Sequence, residues 1–273
     1  MIGGLNKFNN ISRTRLLSNA IGQILVGKIL LSTQNYNLFD LKQRFANKKK
    51  AVIVGNGPSI SDVDWDKIQI LKENSDTLFL ACNRISVLFD KTAWRPDIYS
   101  CLTSVSLTEK KWQESIDQCI QDETIISIVF NNYKNKTKLK KLHDNIHFVH
   151  NVVEHQRHEP IRRDFIDIPL DKGVIKSYSA TATLFQICNF LDIKTLGVIG
   201  QDGYIFEAGK NHFDDSYGFE ASNFEKTNTR ILAVHKELKR FFDKKGTSIC
   251  NLSDKSILKD VYSNKNIFQF MRQ

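Results

Sequence analysis

Short apolar runs alternate with helical patterns from about residue 50 to residue 251, and this alternation restricts the chain to few architectures. Ala51–Val54, Thr77–Cys82, Ile98–Leu102, Thr124–Phe130, Ile146–His150, Thr195–Gly200 and Ser248–Asn251 read as strands. A helix is predicted after the first of them, capped by Ser59 or Ser61, with Asp62, Asp64 and Asp66 near its positive end. Further helices are predicted over Ser179–Leu191 and about Asn228–Lys244, and Ser248–Asn251 is expected to close the sheet. Strands joined through helices imply an α/β fold with a mostly parallel sheet and helices on both faces.

Residues 1–48 read as a helical appendage and residues 49–273 as the α/β domain. In the appendage Leu16, Leu17, Ile21, Ile24, Leu25, Ile29 and Leu30 approximate one helical face, flanked by Arg13, Arg15 and Lys28. Such a face can lie in a membrane interface, pack on the main domain or meet a second subunit. The run from Leu16 to Leu31 is interrupted by Asn19, Gln23 and Lys28 and is too short for a span of roughly 20 apolar residues. The five cysteines, Cys82, Cys101, Cys119, Cys188 and Cys250, sit mostly in apolar runs without C-x-x-C spacing, as buried thiols in a reducing compartment would. The expectation is a cytoplasmic protein, with peripheral contact on the cytoplasmic face of the inner membrane left open.

Net charge is +9, which favours anionic partners. Neither zinc-finger spacing nor an aromatic RNA-binding signature accompanies that charge, so nucleic acid is not expected. His143, His147, His150, His155 and His158 are numerous enough to suggest a metal, but strand alternation sends His147 and His150 to opposite faces. Asp62-Val63-Asp64 matches a D-x-D metal pattern, yet it falls where helix-capping acids belong. No metal site and no cofactor are expected.

Six segments carry polar chemistry. The first strand runs into Gly55-Asn56-Gly57-Pro58-Ser59, where glycines permit a sharp turn and bring backbone N–H groups toward a ligand; a following helix start would favour phosphate. An ordinary βα turn reads the same way. Asn83 and Arg84 end the second strand; Asn83 offers a donor and an acceptor to a base or ribose, and Arg84 suits a phosphate or a carboxylate. Trp94-Arg95-Pro96-Asp97 leads into the third strand, with Trp94 as core, and Thr103 and Ser104 follow that strand. Ser179 and Thr181 open a helix rich in small residues, where hydroxyls suit phosphate and alanines suit close packing. Gly200-Gln201-Asp202-Gly203-Tyr204 follows a later strand and places Asp202 where an acid can bind a hydroxyl or take a proton. His212, flanked by Asp214 and Asp215, is a candidate base in a polar loop.

Taken in order, the GNGPS turn, the Cys82-Asn83-Arg84 strand end, the small-residue helix and the G-x-D-x-Y strand end resemble the bacterial sialyltransferases that use CMP-activated sugars. The stretch from Asn83 to Leu102 and the segment Asn211–Gly218 resemble more closely the wider branch of MAF-type flagellin glycosyltransferases and hydroxymethylpterin pyrophosphokinase-like proteins. The resemblance covers about residues 50–255. It implies a Rossmann-like fold and an inverting, metal-independent glycosyltransferase that moves a sialic-acid-like or Kdo-like sugar from a CMP-sugar donor to a glycan or glycolipid hydroxyl, as in polysaccharide and lipopolysaccharide biosynthesis. It further implies that Gly55, Asn56, Gly57, Pro58, Ser59 and Asn83, with Arg84 and Gly200 nearby, hold the nucleotide. Thr103 and Ser104 would lie near the donor, Ser179 and Thr181 near phosphate, and Tyr204 by the leaving phosphate. The sialyltransferase base stands just before the last long helix, where this chain has Glu225; His212 is the first candidate here, with Glu225 or Asp215 second. The alternative reading, a pterin pyrophosphokinase-like enzyme with ATP and magnesium, needs Asp202, Asp214 and Asp215 as metal-holding acids.

Overall fold

The computed structural model describes residues 38–101, 109–130, 145–149, 151–154, 170, 174–176, 179–204, 211–217 and 224–272. In chain order the elements are α1 (Leu38–Arg44), β1 (Lys50–Val54), α2 (Trp65–Glu73), β2 (Thr77–Cys82), β3 (Ile98–Cys101), α3 (Lys110–Gln121), β4 (Ile126–Phe130), β5 (Ile146–Val149), β6 (Asn151–Glu154), β7 (Val174–Lys176), α4 (Ala180–Phe190), β8 (Thr195–Ile199), α5 (Phe224–Lys244), β9 (Ser248–Asn251), β10 (Ser263–Asn264) and α6 (Ile267–Arg272).

Eight strands form one sheet in the order β10-β9-β8-β1-β2-β3-β4-β5, and every pairing in it is parallel. The strands are apolar on both faces, as burial between two helical layers requires. Period-two alternation sorts them: Ala51, Ile53, Leu78, Leu80, Leu196 and Val198 enter one core with Phe185, Leu238 and Phe242 of α4 and α5. Val52, Val54, Phe79, Ala81 and Ile199 enter the other, with Trp65, Trp112, Ile116 and Phe270 of α2, α3 and α6. β6 and β7 form a separate two-stranded parallel sheet.

From β1 the chain steps outward through β2, β3, β4 and β5, then returns to place β8 on the other side of β1. Strand order therefore reverses between β1 and β8, and in open α/β sheets the ligand crevice forms at the carboxyl ends flanking such a reversal. The register Val54↔Ile199 and Val54↔Ala81 brings the ends of β8, β1 and β2 level, so the segments beginning at Gly200, Gly55 and Asn83 share one edge.

Several expectations change. The helix after β1 does not start at Ser59 or Ser61. A 3-10 turn occupies Pro58–Asp62, and α2 begins at Trp65, capped by Asp64, whose Oδ1 accepts from the Lys67 amide at 3.0 Å. Asp62, the other acid of the D-x-D pattern, pairs with Lys255 at 2.8 Å. β9 does not close the sheet, because β10 pairs beyond it. α3 was missed, although Trp112, Ile116, Cys119 and Ile120 mark a buried helical stripe. α5 begins at Phe224, ahead of Asn228. Within the appendage, Leu41 and Phe45 are buried in the first core and Lys42 pairs with Asp192 at 3.0 Å, so residues 38–48 pack on the α/β body. The apolar face of residues 16–31 lies outside the described residues. Trp94 is core, 4.5 Å from Trp65. All five cysteines are free, buried thiols. No described helix is long and apolar enough to cross a membrane.

Candidate active site at the strand-order reversal

Gly55 and Gly57 lie where β1 and β8 diverge, and their amides donate to Ile199 O (2.8 Å) and Gly200 O (2.7 Å). Pro58 has no N–H, and the Ser59 amide donates to Asp202 Oδ2 at 2.6 Å. Ser59 Oγ accepts from the Gly200 amide at 3.2 Å, so the two loops are laced together. Gly200 adopts φ +71°, a conformation glycine reaches without a Cβ penalty. A cradle of successive amides for phosphate is therefore not formed by Gly55, Gly57 and Ser59: their N–H groups are spent on protein acceptors. The intervening 3-10 turn also removes the helix start on which the phosphate argument relied. Among the described residues the Asn56 amide is the N–H of this turn that has no protein acceptor.

Asn56 is the hub of the edge. Its Nδ2 donates to Cys82 O at 2.9 Å, which orients the carboxamide, and its carbonyl accepts from the Phe213 amide at 3.1 Å. Its Oδ1 is buried without a protein donor, in a residue 7% exposed. A buried acceptor left empty costs about 1–3 kcal/mol, so this atom is suited to a ligand donor or water. Asn83, next along from Cys82, holds φ +58°. Its amide donates to Ser100 O at 3.2 Å and its carbonyl accepts from Tyr99 Oη at 2.7 Å, which fixes the strained backbone and leaves the half-buried side chain at the edge.

The segment 211–217 is pinned over this edge at four points. Phe213 N bonds Asn56 O, and Phe213 O accepts from Ser61 Oγ at 3.4 Å. Asp214 pairs with Lys91 at 2.7 Å, and Arg84 donates through Nη1 to Ser216 O. The Lys91 bond, with Ser216 second, holds the Asp214 carboxyl down to about 2. His212 is thereby carried beside the GNGPS turn, although 155 residues separate it from Gly57. Its ring meets Tyr204 edge to face at 6.2 Å. Tyr204 is held by a two-way bond with Asn228 on α5, its amide donating to Oδ1 (2.8 Å) and its carbonyl accepting from Nδ2 (2.9 Å), and it stacks on Phe224 at 5.3 Å.

Other candidates fall differently. Arg84 is buried and donates through Nη1 to Ser216 O, while its Nε is buried without a hydrogen-bond partner among the described residues. Asp202 is 1% exposed beneath Ser59, where burial raises its pKa against the opposing pull of the Ser59 bonds. Its Oδ2 fastens the two loops. Ser179 and Thr181 are buried, and their hydroxyls hold the side-chain amide of Gln201, whose Oε1 lies 2.9 and 2.7 Å away. Asp215 and Glu225 are exposed, and Glu225 lies in the first turn of α5. Thr103 and Ser104 lie outside the described residues. Of the histidines weighed for metal, His147 alone is described, buried on β5, where burial lowers its pKa. Among the described residues no group of three or more His, Cys, Asp or Glu is disposed to hold a metal ion. Asp202 and Asp214, two of the three acids required for magnesium in the pyrophosphokinase reading, are bound to Ser59 and Lys91. Gln201, Asn228 and Lys91 were missed as site residues; Gln201 stands inside a motif singled out, but its partners are visible only in three dimensions.

No family model matches the sequence, and no curated protein matches it. Among solved structures the chain is similar to a variant of the sialyltransferase CST-II in complex with CMP, at 15% identity over 79% of this chain and 86% of that one, with a TM-score of 0.45. It is also similar to the MAf glycosyltransferase from Magnetospirillum magneticum AMB-1, at 15% identity over 80% of this chain and 33% of that one, with a TM-score of 0.47.

Proposed function

We propose that the chain is a glycosyltransferase that takes a sialic-acid-like or Kdo-like sugar from a CMP-activated donor and passes it, with inversion, to a hydroxyl of a glycan or glycolipid. One observation carries the reading: the Phe213–Asn56 backbone bond seats the His212 segment on the GNGPS turn at the point where strand order reverses. A candidate base thus stands next to the turn that carries Asn56, one of the residues that the sequence resemblance assigns to the nucleotide.

In this mechanism Asn56 Oδ1 and the Asn83 carboxamide receive the nucleotide. His212 removes the proton from the acceptor hydroxyl as its oxygen attacks the anomeric carbon from the face opposite the phosphate. The bond from that carbon to the phosphate oxygen breaks, its electron pair stays on CMP, and the Tyr204 hydroxyl donates to the departing oxygen. Positioned donors of this kind stabilise charge that develops on a leaving group. The Tyr204–Asn228 clamp and the Phe224 stack hold Tyr204 against His212, so base and donor share one rigid wall. The basic net charge favours the doubly charged donor.

The test is calorimetry with CMP and with ATP–magnesium, followed by transfer assays with CMP-sugars. Tight CMP binding that EDTA leaves unchanged is expected. His212→Ala should lower transfer by roughly 10²–10⁴-fold with CMP affinity retained. Equal transfer rates in variant and wild type would remove His212 as the base, and absence of CMP binding would remove the reading.

A further inference from the structure

Ser179, Thr181 and Gln201 form a closed triangle at the carboxyl end of β8. The two hydroxyl oxygens lie 2.6 Å apart, and Gln201 Oε1 lies 2.9 Å from Ser179 Oγ and 2.7 Å from Thr181 Oγ1. Ser179 is 5% and Thr181 2% exposed, so their protons must find acceptors inside the triangle. With the amide oxygen facing inward both hydroxyl protons are used. With the amide nitrogen inward, one N–H and two O–H protons would face only two acceptor oxygens, and one buried hydroxyl proton would be left without an acceptor. Proton counting therefore sets the amide orientation, with Oε1 held inward and Nε2 directed away. Nε2 has no protein acceptor among the described residues, and Gln201 is only half-buried.

The backbone of Gln201 is fixed as well. Its carbonyl accepts from Ser256 Oγ at 2.6 Å. Its nitrogen lies 3.4 Å from where a Cβ on Gly55 would stand, which places it against the GNGPS turn at the strand-order reversal. Gln201 thus combines a backbone set against that crevice with a side-chain amide oriented by two buried hydroxyls. We infer that Gln201 Nε2 is a side-chain donor to an anionic acceptor oxygen of the ligand, a phosphate oxygen of the nucleotide. The inference rests on the nucleotide-sugar reading. In it Ser179 and Thr181 act on phosphate indirectly, as positioning residues for Gln201.

Gln201→Glu is the direct probe. One carboxylate oxygen still accepts from both hydroxyls, while the other replaces the N–H donor with a negative charge. Calorimetry of wild type and variant with CMP and with cytidine separates the possibilities. CMP binding is expected to weaken at least about tenfold, as loss of a hydrogen bond to a charged group implies. Cytidine, which has no phosphate, should bind both forms alike. Equal CMP affinities would overturn the inference and leave the nucleotide reading standing, whereas a wild type that binds no CMP would overturn both. If Gln201→Glu does not fold, Thr181→Val serves: it keeps the side-chain shape, removes one brace, and should weaken CMP several-fold more than cytidine. Unchanged CMP binding in Thr181→Val would then count against the inference.

Discussion

Replacing Gly57 by Ala tests how tightly the two loops at the strand-order reversal are joined. Gly57 has φ −73° and ψ 164°, extended backbone that any residue adopts, so alanine incurs no conformational penalty there. By its effect on the unfolded chain alone, the change would stabilise by about 0.4–1 kcal/mol. Space decides otherwise. The new Cβ would lie 2.5 Å from Asp202 Oδ2 and 2.8 Å from Gly200 O, where ordinary contacts begin at 3.4 Å. The carboxylate would have to retreat by 3.4 − 2.5 = 0.9 Å. It is the acceptor of the Ser59 amide at 2.6 Å, and that movement breaks the bond. Loss of a hydrogen bond to a charged group costs about 1.5–3 kcal/mol and overpacking about 1–3 kcal/mol. Net of the unfolded-state gain, Gly57→Ala should destabilise by about 2–5 kcal/mol. Urea unfolding at neutral pH should show a lower midpoint with an unchanged slope. Adding Asp202→Ala removes one of the two clashes, so the cost of Gly57→Ala in that background should fall by about 1 kcal/mol or more. A Gly57→Ala variant within about 0.5 kcal/mol of wild type would refute the account of the junction.

Two further outcomes follow from buried groups. His235 is fully buried, bonded through Nδ1 to Tyr262 Oη at 3.0 Å, and burial lowers its pKa from 6.5 to about 3. Below pH 6.5 the unfolded chain takes up a proton that the native state refuses; this residue's contribution is therefore present in full above pH 6.5 and is lost as pH falls toward 3. The loss should approach about 1.4 kcal/mol per pH unit, and His235→Gln should flatten the pH dependence of stability between pH 6 and 4.5 by about that slope; parallel curves would contradict it. Arg84→Ala removes the donor to Ser216 O, and amide exchange across residues 211–217 should accelerate with little change at β1 and β2. Unaltered exchange there would show that Phe213–Asn56 and Lys91–Asp214 suffice to hold the segment.

The α/β class and most strands were legible in the chain because they depend on short-range patterns. Runs such as Ala51–Val54 and Thr77–Cys82 are apolar throughout, and only a strand buried on both faces uses such a run over so few residues. The GNGPS turn was legible as the end of the first strand for the same reason. α3 is equally legible through its buried stripe Trp112, Ile116, Cys119 and Ile120.

What each polar group does was settled by tertiary structure. The reversal of strand order between β1 and β8 depends on where the chain returns after β5, a choice with no local signature. Ser59 meets Asp202 across 143 residues and Arg84 meets Ser216 across 132, so donors that read locally as phosphate ligands are claimed by distant acceptors. The same holds for Ser179 and Thr181 at the start of α4, whose partner Gln201 lies just beyond β8. Residue types reveal how many hydrogen bonds a segment can make, but only the packed fold, which must satisfy every buried donor, allocates them.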